Sequence, residues 1–514
     1  MASTKDMTPL EFYNNGVGDR DQFLDRARKF AEYTIPYLLR EEGSSSSTAT
    51  KDVYGQAYLA RLVQTLKAKI GLALFPPASS SFKLDPASED IEAFSVEAAE
   101  MAEADGRDPD EAIDAEVAGT YALISRSTAN INKEIEAQGV RATTFDVVLQ
   151  TLVIGSTIME KVPNDGIRYH GLENFVMKLD GRGRMRQLCI HELVDELPDG
   201  ITADEKEEYH LYTMVTYDTK TKKWNMVQEI DEVLFGEKTY TDKTLPFEHV
   251  GWSWSHGDHY YRPYIEELMG AMEEFSDLTR VLTQGSIAAA KTMLFVDQRG
   301  GRTRISEVAK ANNLAVLNGR ADDVTAFQLG KNYDFQIPYE VVNDHKREFA
   351  SAFLMNESAT RDAERVTAAE VRFMAQELEA STLSGVYSTF SEKISKRVVE
   401  WVMAELGLDL KALKLKMVVG LDAIGRSNEA RNTDEFVGKV SSLGYMQKIN
   451  GDELVNRYAS FHNVETTRLV KTPTQQKKEA AEAQKAQTQM IQDQAGAQSS
   501  GQEAGKAVVE AAKQ

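Results

Sequence analysis

Two stretches of helical apolar spacing, 263–291 and 339–355, bracket a short glycine-punctuated stretch that reads as strand, and this order limits the fold more than any other feature. In the first stretch Ile265, Leu268, Met272, Phe275 and Leu282 share one stripe, while Glu266, Glu267, Glu273, Glu274 and Asp277 lie largely off it. In the second, Val341, Val342, Phe349 and Phe353 are the apolar positions. A helix with a one-sided stripe must pack that side and show the rest to water. Between the two, Met293–Val296, Leu314–Leu317 and Val324–Phe327 read as short strands separated by Gly300-Gly301 and Gly319. A polar break from Asn356 to Arg365 follows. A further helix then starts near Thr367 and carries Leu383, Tyr387, Phe390, Ile394, Val398 and Trp401 on one face. A small β module carried between two helices would project at their tips, within reach of a partner.

The upstream half changes period once. Phe23, Ala27, Phe30 and Tyr33 predict a helix that Ile35-Pro36 stops. Gly43-Ser44-Ser45-Ser46-Ser47 is loop by composition, and Tyr58, Leu62, Leu66 and Ile70 predict a second helix ending at Phe75-Pro76-Pro77. Residues 86–135 are acidic, alanine-rich and helical in pattern. Phe145 to Met159 is the most apolar stretch, with Asp146 its only charge, and predicts a buried helix leading to a strand. From about 166 to 254 alternation replaces helical spacing. Asn174–Asp180 and Arg184–His191 flank Gly181-Arg182-Gly183, and Tyr209–Tyr217 and Trp224–Ile230 flank Asp218–Lys223, the pattern of an antiparallel meander. The last 43 residues hold ten Gln, ten Ala and no aromatic residue, too little apolar surface to offset chain entropy unless a partner supplies more.

Charge narrows the function classes. Fifty-nine basic against 80 acidic residues leave a formal net charge of −21. A protein that coats DNA needs a surplus of Lys and Arg to displace counterions, so that class is excluded; one that encloses DNA without gripping it is not. The single cysteine, Cys189, rules out a disulfide framework and a multi-cysteine metal site, and its strand setting predicts a small buried apolar residue. No run of about 18 apolar residues occurs, so no helix is expected to span a membrane. Met1-Ala2-Ser3-Thr4-Lys5 has no apolar signal core behind it, and the expected setting is a reducing cytoplasm or an assembly built there.

Chemistry-bearing motifs are weak. Gly236-Glu237-Lys238-Thr239 echoes a phosphate-binding loop, but Glu237 separates glycine from lysine and Asp231 stands where the first glycine should be, so a β turn is expected. His191-Glu192 opens like a zinc-protease helix, yet Asp195 occupies the second histidine's place, and a strand end is expected. His256-Gly257-Asp258-His259 lacks an evident third ligand and fits a solvated loop. Asp105 to Glu116 is acidic, but Arg107 and Pro109 sit where a calcium loop wants oxygen ligands. With no nucleophile–base constellation evident, the expectation is no enzyme, no cofactor and no metal.

Several blocks, in one order, resemble a known family. Glu364-Arg365-Val366-Thr367-Ala368-Ala369-Glu370-Val371, continued by Glu377-Leu378-Glu379 and Gly385-Val386-Tyr387-Ser388, resembles the signature of the portal, or head-to-tail connector, proteins of short-tailed bacteriophages. Tyr33-Thr34-Ile35-Pro36 and Leu72-Ala73-Leu74-Phe75-Pro76 are similar to its N-terminal marks. Gly257-Asp258 with Tyr261-Arg262-Pro263-Tyr264-Ile265-Glu266-Glu267 resembles the lead into its first stem helix, and Gly420-Leu421-Asp422-Ala423-Ile424-Gly425-Arg426 a late motif. One departure is Tyr261, where the resemblance implies glycine.

The resemblance implies an α+β, mainly α, portal fold assembled as a closed ring of about twelve copies around a channel. It places a wing at 1–262 and 368–425, stem helices at 263–291 and 338–355, a small β-containing clip at 292–337, a tunnel loop at 356–367, a helical crown at 426–471 and a tail at 472–514. The implied partners are double-stranded DNA passing without sequence specificity, terminase, a tail adaptor or tail tube protein, and scaffolding, major capsid and internal core proteins; no membrane is implied. In the tunnel loop, Arg361 and Arg365 are expected to approach DNA, with Asp362 and Glu364 pairing neighbouring loops. Arg365 stands equally as a structural residue bonded to Glu364 or Glu370 of the adjacent copy. Arg299, Arg302 and Arg304 either face a clip partner or cap a solvated hairpin. Two other readings remain at this point: a tail or internal scaffold component, and an enzyme such as a nuclease or ATPase.

Overall fold

The structure, a computed structural model, describes residues 7–39, 53–76, 82–86, 96, 100–105, 109–163, 165–197, 207–290, 293–296, 305–310, 324–327, 335–355, 373, 376–378, 383–408, 415–419, 427–449, 451, 454–455 and 458. The chain divides into two compact units, Met1–Ser79 with Ala137–Trp401, and Ser80–Glu136 with Val402–Gln514. Both helix and strand are well represented.

In the first unit, α1 (Pro9–Tyr33) opens on a reciprocal cap: Thr8 Oγ1 accepts from Glu11 N at 3.3 Å, and Glu11 Oε2 accepts from Thr8 N at 3.2 Å. It ends just before Ile35-Pro36, as the sequence implies. Helix α2 (Gln56–Leu74) buries Leu59, Leu62, Leu66 and Ile70. Helix α3 (Val140–Val153) is buried along most of its length and runs into a strand, as the apolar stretch predicts. The strands that follow are β1 (Ser156–Val162), β2 (Gly166–His170), β3 (Phe175–Leu179), β4 (Met185–Val194), β5 (Tyr209–Asp218), β6 (Lys223–Ile230), β7 (Val233–Tyr240) and β8 (Phe247–Gly251).

The expected meander is part of two sheets rather than one. Strands β3 to β7 form a five-stranded antiparallel sheet in chain order, while β1 lies between β2 and β8 in a separate three-stranded sheet. Helix α1 covers one face of the larger sheet, where Phe12 and Tyr13 pack on Val176 and Cys189. Cys189 is a buried apolar filler, as expected. Leu10 N donates to Glu229 Oε2 at 2.9 Å, so a buried sheet carboxylate meets the positive end of the helix dipole.

The strand β7 was not evident in sequence, and Gly236-Glu237-Lys238-Thr239 lies inside it rather than in a turn. The turn is Asp231-Glu232, both left-handed at φ 47° and 65°, which closes a two-residue hairpin with Ile230 opposite Val233. Gly236 (φ 66°) falls where β6 bulges between Met226 and Gln228.

Next come α4 (Tyr264–Ala290), β9 (Met293–Val296), the short α5 (Ile305–Lys310), β10 (Val324–Phe327) and α6 (Gln336–Ala352). Strands β9 and β10 pair antiparallel, Met293 opposite Phe327. The expected strand Leu314–Leu317 lies outside the described residues. Ser384–Phe390 and Arg397–Glu405 are helical and joined by a π-helical turn, Ser391–Lys396.

In the second unit, strands Phe82–Pro86 and Leu415–Val419 pair antiparallel. The acidic, alanine-rich segment forms the helix Pro109–Ala137, and proline at its start makes the end of Asp105–Glu116 a helix entry. A helix at Ser427–Ser442 follows. Residues 472–514 lie outside the described residues. Among the described residues no helix is long and apolar enough to cross a membrane.

Candidate functional site

The pair α4 and α6 is built from its base outward. Glu266 and Glu267 in the first turn of α4 favour the helix N-terminus, and Arg262 and Arg26 hold Glu266 at 3.0 and 3.1 Å. Over this base the helices interlock through aromatic rings. Phe275 meets Phe349 edge-on at 5.7 Å and 81°, Tyr264 meets Phe353 at 5.4 Å, and His345 stacks on Phe349 at 5.9 Å. Farther out Gly285 faces Phe335, and a Cβ there would collide with the ring, so the close crossing needs glycine. In this far half Val281 is 48% exposed, Ile287 54%, Ile337 72% and Tyr339 59%. Four large apolar side chains on one helix pair are therefore left uncovered in a single copy.

The inner end of α6 is clamped. Phe353 is fully buried, Leu354 turns left-handed at φ 54°, and Tyr264 Oη donates to Ala352 O at 2.8 Å. Lys69 Nζ donates to Leu354 O and pairs with Glu377 at 2.9 Å; the side chains are 5% and 15% exposed. One lysine thus joins the end of α6 to Glu377, within the helical residues 376–378 beyond the polar segment. Sequence reading missed Lys69. The signal was there: it sits at stripe spacing with Leu62, Leu66 and Ala73, where a charge is out of place unless partnered.

The expected site residues lie outside the described residues: Arg361, Asp362, Glu364 and Arg365 in the polar segment, and Arg299, Arg302 and Arg304 between β9 and α5.

The π turn meets β8. Lys393 Nζ donates to His249 O at 3.1 Å and to Tyr261 Oη at 3.0 Å. Tyr261, the departure noted in sequence, fills the space that Gly251 leaves, since a Cβ on Gly251 would strike its ring. His249 lies edge-on to that ring at 4.7 Å; burial, then Lys393, keeps its pKa well below the ordinary value.

Three further polar groupings lie in the same unit. Glu160, His170 and Glu192 place ligand atoms within 4.8 Å of one another. Arg168 stands among them: its Nε is 2.6 Å from Glu160 Oε2 and its Nη1 2.8 Å from Glu192 Oε1, while His170 Nε2 is 2.7 Å from the same Glu160 oxygen. The guanidinium occupies the place a cation would take. Burial raises the Glu160 pKa, but the bonds from His170 and Arg168 outweigh it and hold it below the usual value. His191 lies within a strand, stacked between His210 at 5.1 Å and Tyr212 at 4.9 Å, with its pKa lowered by burial and then by His210. A polar cavity of about 440 Å³ is lined by Tyr37, Lys67, Asp146, Gln150, Tyr169 and Glu173, and the buried Gln150 Oε1 has no hydrogen-bond partner.

The loop histidines are separated in role. His259 Nδ1 accepts from Leu179 N at 3.3 Å, whereas His256 lies against Trp254. Burial drives the Cys189 thiol pKa far up, which removes it as a nucleophile.

A family model described as "Bacteriophage head to tail connecting protein" matches residues 13–470. The portal protein of Enterobacteria phage T3 is 27% identical over 493 residues, covering 90% of this chain and 88% of the relative. That of Escherichia phage T7 is 26% identical over 498 residues, covering 91% and 89%. A solved structure described as the neck of an empty GTA particle computed with C6 symmetry aligns at a TM-score of 0.36 and 12% identity, covering 77% of this chain and 88% of that one, a likeness too low to carry weight.

Proposed function

This chain belongs to the family of bacteriophage head to tail connecting proteins, and from that premise we propose that it is a portal subunit of a virion, whose copies close into a ring and leave a channel for the genome. The geometry that supports the ring is the far half of α4 and α6. Val281, Ile287, Ile337 and Tyr339 are uncovered in one copy, and lateral packing between copies would bury them. A side-by-side arrangement leaves the acidic positions off the stripe to face water or the channel. An acidic wall repels phosphates and avoids the deep binding minima that would stall sliding DNA.

The regional assignment stays as the resemblance implies it: wing 1–262 and 368–425, stem helices 263–291 and 338–355, clip 292–337, tunnel loop 356–367, crown 426–471 and tail 472–514. On this reading the role is structural: the ring docks terminase during packaging and a tail adaptor afterwards, with scaffolding and major capsid proteins as further partners. About twelve copies close the ring. Arg361 and Arg365 brush the DNA backbone without sequence preference, and Lys69 joins Leu354 before them to Glu377 after them.

Negative-stain imaging of purified protein tests the core of this reading: rings with an open centre are expected, and compact single-copy particles under all assembly conditions would end it. The loop assignment is tested by Arg361→Ala with Arg365→Ala, and unchanged packaging together with unchanged DNA retention would remove it. Charge reversal of Arg299, Arg302 and Arg304 is expected to abolish terminase or tail-adaptor binding; intact binding of both would leave these arginines as a solvated tip.

A further inference from the structure

The five-stranded sheet is polarised along its strands. In a meander alternate turns share an end, so the β3–β4 and β5–β6 turns lie side by side, joined where the Arg186 guanidinium covers the Tyr217 ring at 4.8 Å. This end is basic. Arg182, Lys220, Lys222 and Lys223 are exposed and have no carboxylate partner among the described residues. Of the acids at this end, Asp180 and Asp218 build the turns and Asp242 accepts from Trp224 Nε1 at 2.8 Å. Asp180 accepts the backbone N–H groups of Arg182 and Arg184 at 2.8 and 3.0 Å and pairs with Arg186 at 2.8 Å. Asp218 closes its own turn through Lys220 N and Thr221 Oγ1, both at 3.0 Å.

The opposite end is acidic. Asp195 and Glu196 follow β4, Glu207 and Glu208 precede β5, and Glu232 sits in the β6–β7 turn; all five are exposed, with no Lys or Arg partner among the described residues. Leu193, Val233 and Leu234 at this end are exposed large hydrophobics, so the carboxylates frame apolar surface. Strands β4 to β6, of eight to ten residues, separate the two ends by roughly 27–34 Å. That is about three Debye lengths at 0.1 M salt, so the ends do not neutralise each other within one copy.

A closed ring is heterologous: each contact joins two different surfaces of the same chain. A chain of net charge −21 repels its copies unless unlike patches meet. We propose that the basic end of this sheet docks against the acidic end of the same sheet in the next copy, as one of the contacts that close the ring. The inference rests on the portal reading.

The test is a charge swap read by native mass spectrometry and negative stain. One variant carries Lys220→Glu, Lys222→Glu and Lys223→Glu; the other carries Glu207→Lys, Glu208→Lys and Glu232→Lys. Each alone is expected to lower the ring fraction by about tenfold or more at 0.15 M salt, because like charges then face each other. An equimolar mixture is expected to assemble again, since each variant then meets its complement, and this recovery also shows that both fold. Rings at the unmodified yield from either variant alone, or a mixture that fails while circular dichroism shows both folded, would overturn the contact. If the unmodified chain forms no rings at all, the portal reading falls and takes this contact with it; rings from the unmodified chain and from both variants remove only the contact.

Discussion

The five-stranded sheet and the α4–α6 pair sit in the same unit and satisfy their apolar surface in opposite ways. Away from its acidic end, where Leu193, Val233 and Leu234 stay exposed, the sheet is closed by its own chain: α1 covers one face, and Tyr260 packs on Phe175 and accepts from Met177 N at 3.2 Å on the other. The helix pair is closed only at its base, by Phe275, Phe349, Tyr264 and Phe353, and its far half is open. The difference separates what must hold in a lone copy from what is finished by a neighbour. Substitutions at the base should therefore act on folding, and substitutions at the far half on assembly.

The largest effects test the base. Phe275→Ala is expected to lower the stability of the unassembled chain by about 3–5 kcal/mol, measured by urea unfolding. Lys69→Met removes the ammonium that donates to Leu354 O and pairs with Glu377, and is expected to cost about 1.5–3 kcal/mol, with Glu377→Leu added on top restoring part of it. If the double variant is as unstable as the single, the pairing is not what stabilises the clamp.

Acid acts next, on the three-stranded sheet. The His249 imidazole stays neutral in the fold because of burial and then Lys393, so its folded pKa lies well below the unfolded value. The unfolded chain binds the proton first. Stability is therefore fully present above about pH 6.5 and falls as pH drops below it. His249→Gln is expected to flatten the fall in urea midpoint between about pH 7 and 5.5, and an unaltered slope would refute the assignment. A smaller gain is expected at the β6–β7 turn. Glu232→Gly relieves a left-handed residue at φ 65° and should stabilise by about 1 kcal/mol in the same urea assay. Smallest in folding terms is Ile337→Asp with Tyr339→Asp, expected to stay within about 0.5 kcal/mol in the unassembled chain. The same pair should sharply reduce ring formation; a reversed outcome, unstable chain and normal rings, would dissolve the contrast between the two regions.

Much of this was legible in the sequence where neighbours in the chain are neighbours in space. The stripes of α1, α2, α4 and α6 and the hairpins around Gly181-Arg182-Gly183 and Asp218–Lys223 are local patterns, and the structure has them. Strand β7 was hidden because its turn carries Asp231 and Glu232 where left-handed geometry favours Asn or Gly, while Gly236 mimics a turn inside the strand. The three-stranded sheet was hidden because β1 pairs with β8, Ser156 opposite Gly251, and no local signal encodes so distant a partner. Tyr261 looked like a departure until Gly251 supplied the space for its ring. The site was less legible than the fold: Lys69 reads as one lysine among many until Leu354 and Glu377 converge on it.

Joining Leu354 and Glu377 to one ammonium group also has a consequence for loop length. Both anchors are fixed at a single point, so inserting or deleting a few residues between them need not move either one.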